Sequence, residues 1–157
     1  MRMTKIFWAL LLINVFKPPT FDGWKGIVPL RSTRTDVQRQ LGAPVAACEQ
    51  TCTYETPNER VTIIYSTDPC GPGDHNRWRV SAGTVVTVIL DPAVKPKLKD
   101  LKLNLRRFSK TKNPELAGYW VYTSQLDGIS YEVSSSGKVL TVEWFPPAKN
   151  DSLNCNP

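Results

Sequence analysis

Thr33-Arg34-Thr35-Asp36-Val37-Gln38-Arg39-Gln40-Leu41-Gly42-Ala43-Pro44 is the stretch of this 157-residue chain that marks a helix at both ends. Thr33 suits the N-cap, and Asp36 at N3 can answer it in a capping-box variant whose carboxylate also favours the positive end of the helix dipole. Val37 and Leu41 share one face, Gly42 suits a positive-φ stop, and Pro44 prevents continuation. The spacing predicts a helix of about two turns over 34–41, stable only when docked on something larger.

After this helix the apolar period changes from helical to two. Segments 53–55, 60–66, 84–90, 118–123, 129–133 and 139–145 are rich in Val, Ile, Thr, Tyr and Trp and read as strands. Turn residues separate them: Pro57-Asn58, the 69–74 cluster, Asp127-Gly128 and Ser135-Ser136-Gly137. Val86, Val88 and Leu90 form one row with Val85 and Ile89 opposite, as in a strand covered on both faces. Leu140, Val142 and Trp144 form another apolar row. The expected fold is α+β, with short helices packed on an antiparallel sheet of about six strands.

The last strand also resembles an earlier one. Gly83–Lys95 aligns without gaps on Gly137–Lys149, with six identities in thirteen positions. Each segment closes a run of three strands, and each run follows a candidate helix, 34–41 in the first half and 98–108 in the second. Leu98, Leu101, Leu105 and Phe108 fit a helical stripe there, whereas Leu101, Leu103 and Leu105 alternate as in a strand. A tandem duplication of helix plus three strands, with half-repeats 31–95 and 96–149, is the expectation.

The chain begins as an exported protein would. Arg2 and Lys5 precede the apolar run Ile6–Phe16, which as a helix would rise only about 16 Å against a hydrocarbon core of about 30 Å. Residues 1–17 therefore read as a signal peptide or N-terminal leader, and 18–157 as one domain secreted or held in the periplasm, with no transmembrane span. Within it, 18–30 reads as an extended arm anchored by Trp24, Ile27 and Leu30. Cys48, Cys52, Cys70 and Cys155 form an even set and read as disulfides. Three pairings are open; Cys48–Cys52 with Cys70–Cys155 is favoured, the first pinning a tight loop and the second tying down the tail. The spacing matches no zinc template, so no metal is expected.

The motif Thr33-x3-Val37-x3-Leu41-Gly42-x-Pro44 followed by strands resembles the SmpA/OmlA group, the BamE-like outer-membrane assembly lipoproteins. It is also similar to the secreted β-lactamase-inhibitory proteins, which duplicate such a unit. Over its length the chain resembles secreted bacterial proteins of unassigned activity that share an opening like Trp24–Val37. These resemblances imply an exported α+β protein that works by protein contact rather than catalysis. Arg31 stands where the lipoprotein motif has glycine, and no lipidated cysteine follows the leader.

Catalytic motifs are sparse. His75, the single histidine, sits in a Gly/Pro/Asp loop beside Asp74, an adjacency that rarely supplies triad geometry, and reads as a solvated loop residue. Glu132 and Glu143 on neighbouring strands are the best carboxylate pair for glycoside hydrolysis, although facing polar residues on an open sheet face are far commoner. No P-loop, dinucleotide fingerprint, EF-hand or H-E-x-x-H pattern is present, so no cofactor is expected. Asn150-Asp151-Ser152 is a formal glycosylation sequon.

The net charge of +6 is unevenly distributed. Lys95, Lys97, Lys99, Lys102, Arg106, Arg107, Lys110 and Lys112 are accompanied only by Asp100, which gives this run +7. Arg2, Lys5 and Lys17 carry +3, so the rest of the chain holds −4. Such a run is either the solvated face of an amphipathic element or a surface for an anionic ligand. The expected function is a non-enzymatic interaction module for a protein or an anionic envelope component, with no nucleic acid as partner. A secreted inhibitor of a hydrolase and a small carboxylate-dependent hydrolase are the alternatives.

Overall fold

The computed structural model describes residues 23–155; the leader expected over 1–17 lies outside them. The helix α1 (Arg34–Leu41) forms as its caps dictate. The Thr33 amide donates to Asp36 Oδ2 at 2.8 Å and the Asp36 amide to Thr33 Oγ1 at 3.4 Å. Hydrogen bonds donated by the Thr33 amide and, at 2.8 Å, the Thr33 hydroxyl hold the Asp36 carboxyl below its ordinary range, the amide contributing most. At the other end the Gly42 amide donates to the Gln38 carbonyl, with Gly42 at φ +80°. Val37 is fully buried and docks the helix, and Arg34 lies 4.1 Å from the Tyr65 ring centroid.

Seven strands follow: β1 (Thr51–Glu55), β2 (Glu59–Tyr65), β3 (Val85–Pro92), β4 (Ser109–Lys112), β5 (Trp120–Ser124), β6 (Ile129–Val133) and β7 (Val139–Trp144). They form one antiparallel sheet in the order β1-β2-β3-β7-β6-β5-β4. Two meanders, β1-β2-β3 and β5-β6-β7, therefore meet across the β3–β7 pair. The strand beyond the expected six is β4, whose sequence Ser-Lys-Thr-Lys has no apolar alternation because all four residues are exposed at the sheet edge.

The second expected helix is absent as an α-helix. Leu98–Leu101 and Leu105–Arg107 are separate 3₁₀ turns, parted by Lys102 in the left-handed region at φ +53°. Leu98 and Leu101 are buried at the i,i+3 spacing that a 3₁₀ turn aligns, whereas Leu105 is 45% exposed. A third 3₁₀ segment, Ala148–Leu153, follows β7.

The two similar segments of the sequence are the two central strands. Val88 pairs with Trp144, Ile89 with Glu143 and Leu90 with Val142. Ile89 and Glu143 are equivalent positions of the gapless alignment, so an approximate twofold axis passes through their pair. The irregularities repeat as well. The β2–β3 register shifts between Ile64 and Tyr65, leaving Val86 as an extra residue. The β6–β7 register shifts between Glu132 and Val133, leaving Leu140 as an extra residue. Val86 and Leu140 are again equivalent positions.

These bulges correct the expected apolar rows, because an inserted residue moves its neighbours to the other face. The core row of β7 is Val139-Val142-Trp144 rather than Leu140-Val142-Trp144, and that of β3 is Val85-Val88-Leu90. Trp24 and Ile27 of the arm, Val37 of α1 and Leu98 and Leu101 cover this face. Val86 instead joins Leu30 and Trp78 in a separate small cluster.

Both favoured disulfides are present, Cys48–Cys52 beside β1 and Cys70–Cys155 between the 67–80 loop and the tail. The second works with main-chain bonds from Arg79 to Leu153 and from Cys155 to Arg77, each 2.7 Å. A cross-link stabilises more when it closes a longer loop. Cys70–Cys155 spans 85 residues and Cys48–Cys52 spans 4. Their removal should cost about 4.5 and about 2 kcal/mol respectively by chain entropy. Urea melting of Cys70→Ala/Cys155→Ala and Cys48→Ala/Cys52→Ala should show the larger fall in midpoint for the first; the reverse order would refute the assignment of the tail as the principal staple.

Candidate functional site

The strongest concentration of unneutralised charge and aromatic surface lies where β4 meets β5. Lys110 faces Tyr122 and Lys112 faces Trp120 across the ladder. The Lys110 ammonium stands 4.0 Å from the Trp120 ring centroid and 5.4 Å from that of Tyr122. Lys112 stands 5.9 Å from Trp120. Each ring is half-buried, so its π face can hold a cation that remains in contact with water. Tyr122 also packs against the core, which gives the margin a rigid base.

A turn signal could have revealed this hairpin. Asn113-Pro114 opens the connection and Gly118, at φ +81°, closes it. Asn113 Oδ1 accepts from the Glu115 and Leu116 amides at 2.8 and 3.1 Å, and its Nδ2 donates to Glu132 at 2.8 Å. The loop is thus anchored to β6 by one side chain.

The fold divides the basic run. Lys95 pairs with Asp91 and donates to the Leu140 carbonyl at 3.0 Å, which turns it toward the sheet. Arg107 pairs with buried Asp127, whose other oxygen accepts from Ser124 Oγ at 2.6 Å. Lys99, Lys102 and Arg106 lie exposed on the 3₁₀ turns before β4. Lys97 bridges Lys138 through its backbone. The helix residues Thr33, Asp36, Val37, Leu41, Gly42 and Pro44 form and dock α1, and the four cysteines form disulfides.

The other face of the sheet carries a row of direct partners that is polar except at Ile89: Thr53, Thr62, Ile89, Glu143, Ser130, Thr123 and Ser109. At its centre the Glu143 carboxyl is raised above its ordinary range, chiefly by burial. A hydrogen bond from Ser130 Oγ at 3.3 Å and the charge of His75 act in the opposite sense. His75 lies half-buried within the 67–80 loop. Asn76 holds its loop: Oδ1 accepts from the Thr67 and Asp68 amides at 3.0 and 3.2 Å, and Nδ2 donates to the Pro72 carbonyl at 3.1 Å. Glu132, the other carboxylate considered, is occupied by Asn113 and by Thr141 Oγ1 at 3.2 Å.

Neither of two surface cavities holds this carboxylate pair. One, of about 390 Å³, is lined by Glu55, Arg60, Asp91 and Lys95 at the ends of β1–β3. The other, of about 110 Å³, lies between Arg31, Asp127, Trp144 and Lys149. Among the described residues no group of three or more His, Cys, Asp or Glu side chains could hold a metal ion. No helix among them is long and apolar enough to cross a membrane. Comparison with protein-family models, curated proteins and solved structures finds no match to this chain.

The Glu143 shift has a defined consequence for stability. A carboxyl raised on folding holds its proton more tightly in the folded state than in the unfolded one. Its contribution is complete below the ordinary carboxylate range and is lost as pH rises through the raised value. Glu143→Gln should remove that descent, so the stability difference between variant and parent should change in the variant's favour as pH rises above the ordinary carboxylate range. Parallel stability–pH profiles from urea melts would contradict the burial of this carboxyl.

Proposed function

We propose that this protein is an extracytoplasmic interaction module that captures a protein or an anionic envelope component, without catalysis, on the margin formed by β4 and β5. The two disulfides suit an oxidising compartment. The observation that carries the reading is the seating of Lys110 and Lys112 over Trp120 at an exposed sheet edge. An anion there meets ammonium groups already positioned by aromatic rings, so little side-chain freedom is lost on binding. Lys99, Lys102 and Arg106 add positive charge without described salt-bridge partners, and attract the partner before contact.

A second reading, a small carboxylate-dependent hydrolase, is favoured by the raised Glu143 carboxyl, which accepts a hydrogen bond from Ser130. A carboxyl that burial makes harder to ionise is the kind of group that serves as a general acid. Hydrolysis of chromogenic glycosides that disappears in Glu143→Gln would establish that reading in place of the first.

The binding reading is tested with immobilised polyglutamate and with phosphatidylglycerol vesicles. Lys110→Glu/Lys112→Glu should weaken capture about tenfold or more, and Lys149→Glu, away from the margin, should leave it nearly unchanged. Raising salt from about 0.05 to about 0.5 M should also weaken capture, because exposed charges are screened over a shorter range. Capture indifferent both to salt and to the two lysines would overturn the proposal.

A further inference from the structure

The two edges of the sheet are not equivalent. At the β1 edge the Val45 amide donates to the Thr53 carbonyl at 2.8 Å, and the Cys48–Cys52 loop lies alongside. This edge is thus capped at Thr53 by the chain's own backbone. At the opposite edge, β4 ends the strand order, and no described segment pairs with its outer side.

The hydrogen-bond phase of β4 follows from one bond. The Asn113 amide donates to the Tyr119 carbonyl at 3.0 Å, in line with the β4–β5 register. Antiparallel ladders alternate bonded and non-bonded pairs. Thr111–Val121 and Ser109–Thr123 are then bonded pairs, while Lys110–Tyr122 and Lys112–Trp120 are non-bonded. The main-chain N–H and C=O groups of Lys110 and Lys112 consequently point outward. Each of these residues presents a complete strand-pairing site and carries its ammonium on the face shared with Trp120 and Tyr122.

We propose that β4 receives an extended acidic segment of another polypeptide as an eighth strand. This rests on the binding reading above and names its partner. The incoming strand would exchange main-chain hydrogen bonds with Lys110 and Lys112. Acidic side chains at alternating positions i and i+2 would fall opposite the two lysines, within cross-strand reach. Side chains between them would lie beside Ser109 and Thr111 and can be small or apolar. The same geometry selects against a second copy of this chain. Antiparallel pairing of β4 with itself would place lysine opposite lysine, which is unfavourable. The edge thus repels its own kind and accepts a strand of opposite charge.

The test uses the whole protein and two synthetic peptides of alternating Glu and Val. One has an ordinary backbone, and the other is N-methylated at the amides that would face β4. The ordinary peptide should bind, and the methylated one about tenfold or more weakly, since methylation removes the donors without altering charge. Amide exchange supplies a residue-specific reading on the unmutated protein. Binding should slow exchange at Lys110 and Lys112 about tenfold or more, with little change at Thr111, whose amide already bonds β5.

Equal binding of both peptides, or exchange at Lys110 and Lys112 that does not slow, would overturn strand addition while leaving a basic surface that binds anions. Binding to phosphatidylglycerol vesicles but to neither peptide would also overturn it, and would assign the margin to lipid. Failure of peptides, polyglutamate and vesicles alike would defeat the binding reading together with the inference.

Discussion

The antiparallel pair of β3 and β7 is the constraint on which the rest of the molecule depends. It joins two three-stranded meanders that would otherwise each present an open edge. Its centre is the Ile89–Glu143 pair, and the bulges at Val86 and Leu140 lie at equivalent distances along the two strands. The bulges reset both strands so that Val85 and Val139 enter the core with Val88, Leu90, Val142 and Trp144. A slip of one residue would turn this apolar set toward the polar face. The register is therefore set by burial as well as by hydrogen bonding.

The pairing also makes the two positions at its centre chemically unequal. Ile89 and Glu143 stand side by side on the face away from the main core, so one position is aliphatic and its counterpart is a carboxyl. Covering that face would strand a charge, and the environment of Glu143 moderates the cost through Ser130 and His75. Two conditions hold the His75 loop here: the Asn76 hydrogen bonds within it and the Cys70–Cys155 link behind it. The second half of the chain differs from the first in carrying β4, and through β4 the only basic, aromatic sheet edge among the described residues.

Much of this was legible in residue order because alternation survives wherever one face is buried. The capping residues of α1, six strands and the burial of Trp24, Ile27 and Leu30 follow from local chemistry, and the even set of cysteines points to two disulfides while leaving their pairing open. What failed was information that local pattern does not contain. A bulge inverts the facing of a few residues without altering composition, so Leu140 looked like a core residue. β4 lacks an apolar face of its own and is a strand only because β5 pairs with it. The leucines of 98–108 satisfied two periods at once, and Lys102 resolves them into 3₁₀ turns. The electrostatic influence of His75 on Glu143 depends on tertiary folding alone. The basic run was visible as composition, but its division depended on which lysines and arginines find carboxylates.

Strand addition at this margin depends on the phase of the β4–β5 ladder, because that phase aims the Lys110 and Lys112 main chain outward and sets their side chains over Trp120. Nuclear Overhauser contacts between α-protons report it directly, since those protons approach closely only in non-bonded antiparallel pairs. Strong contacts between Lys110 and Tyr122 and between Lys112 and Trp120 are expected. A strong contact between Thr111 and Val121 in their place would turn the lysine amides into the sheet and contradict the account.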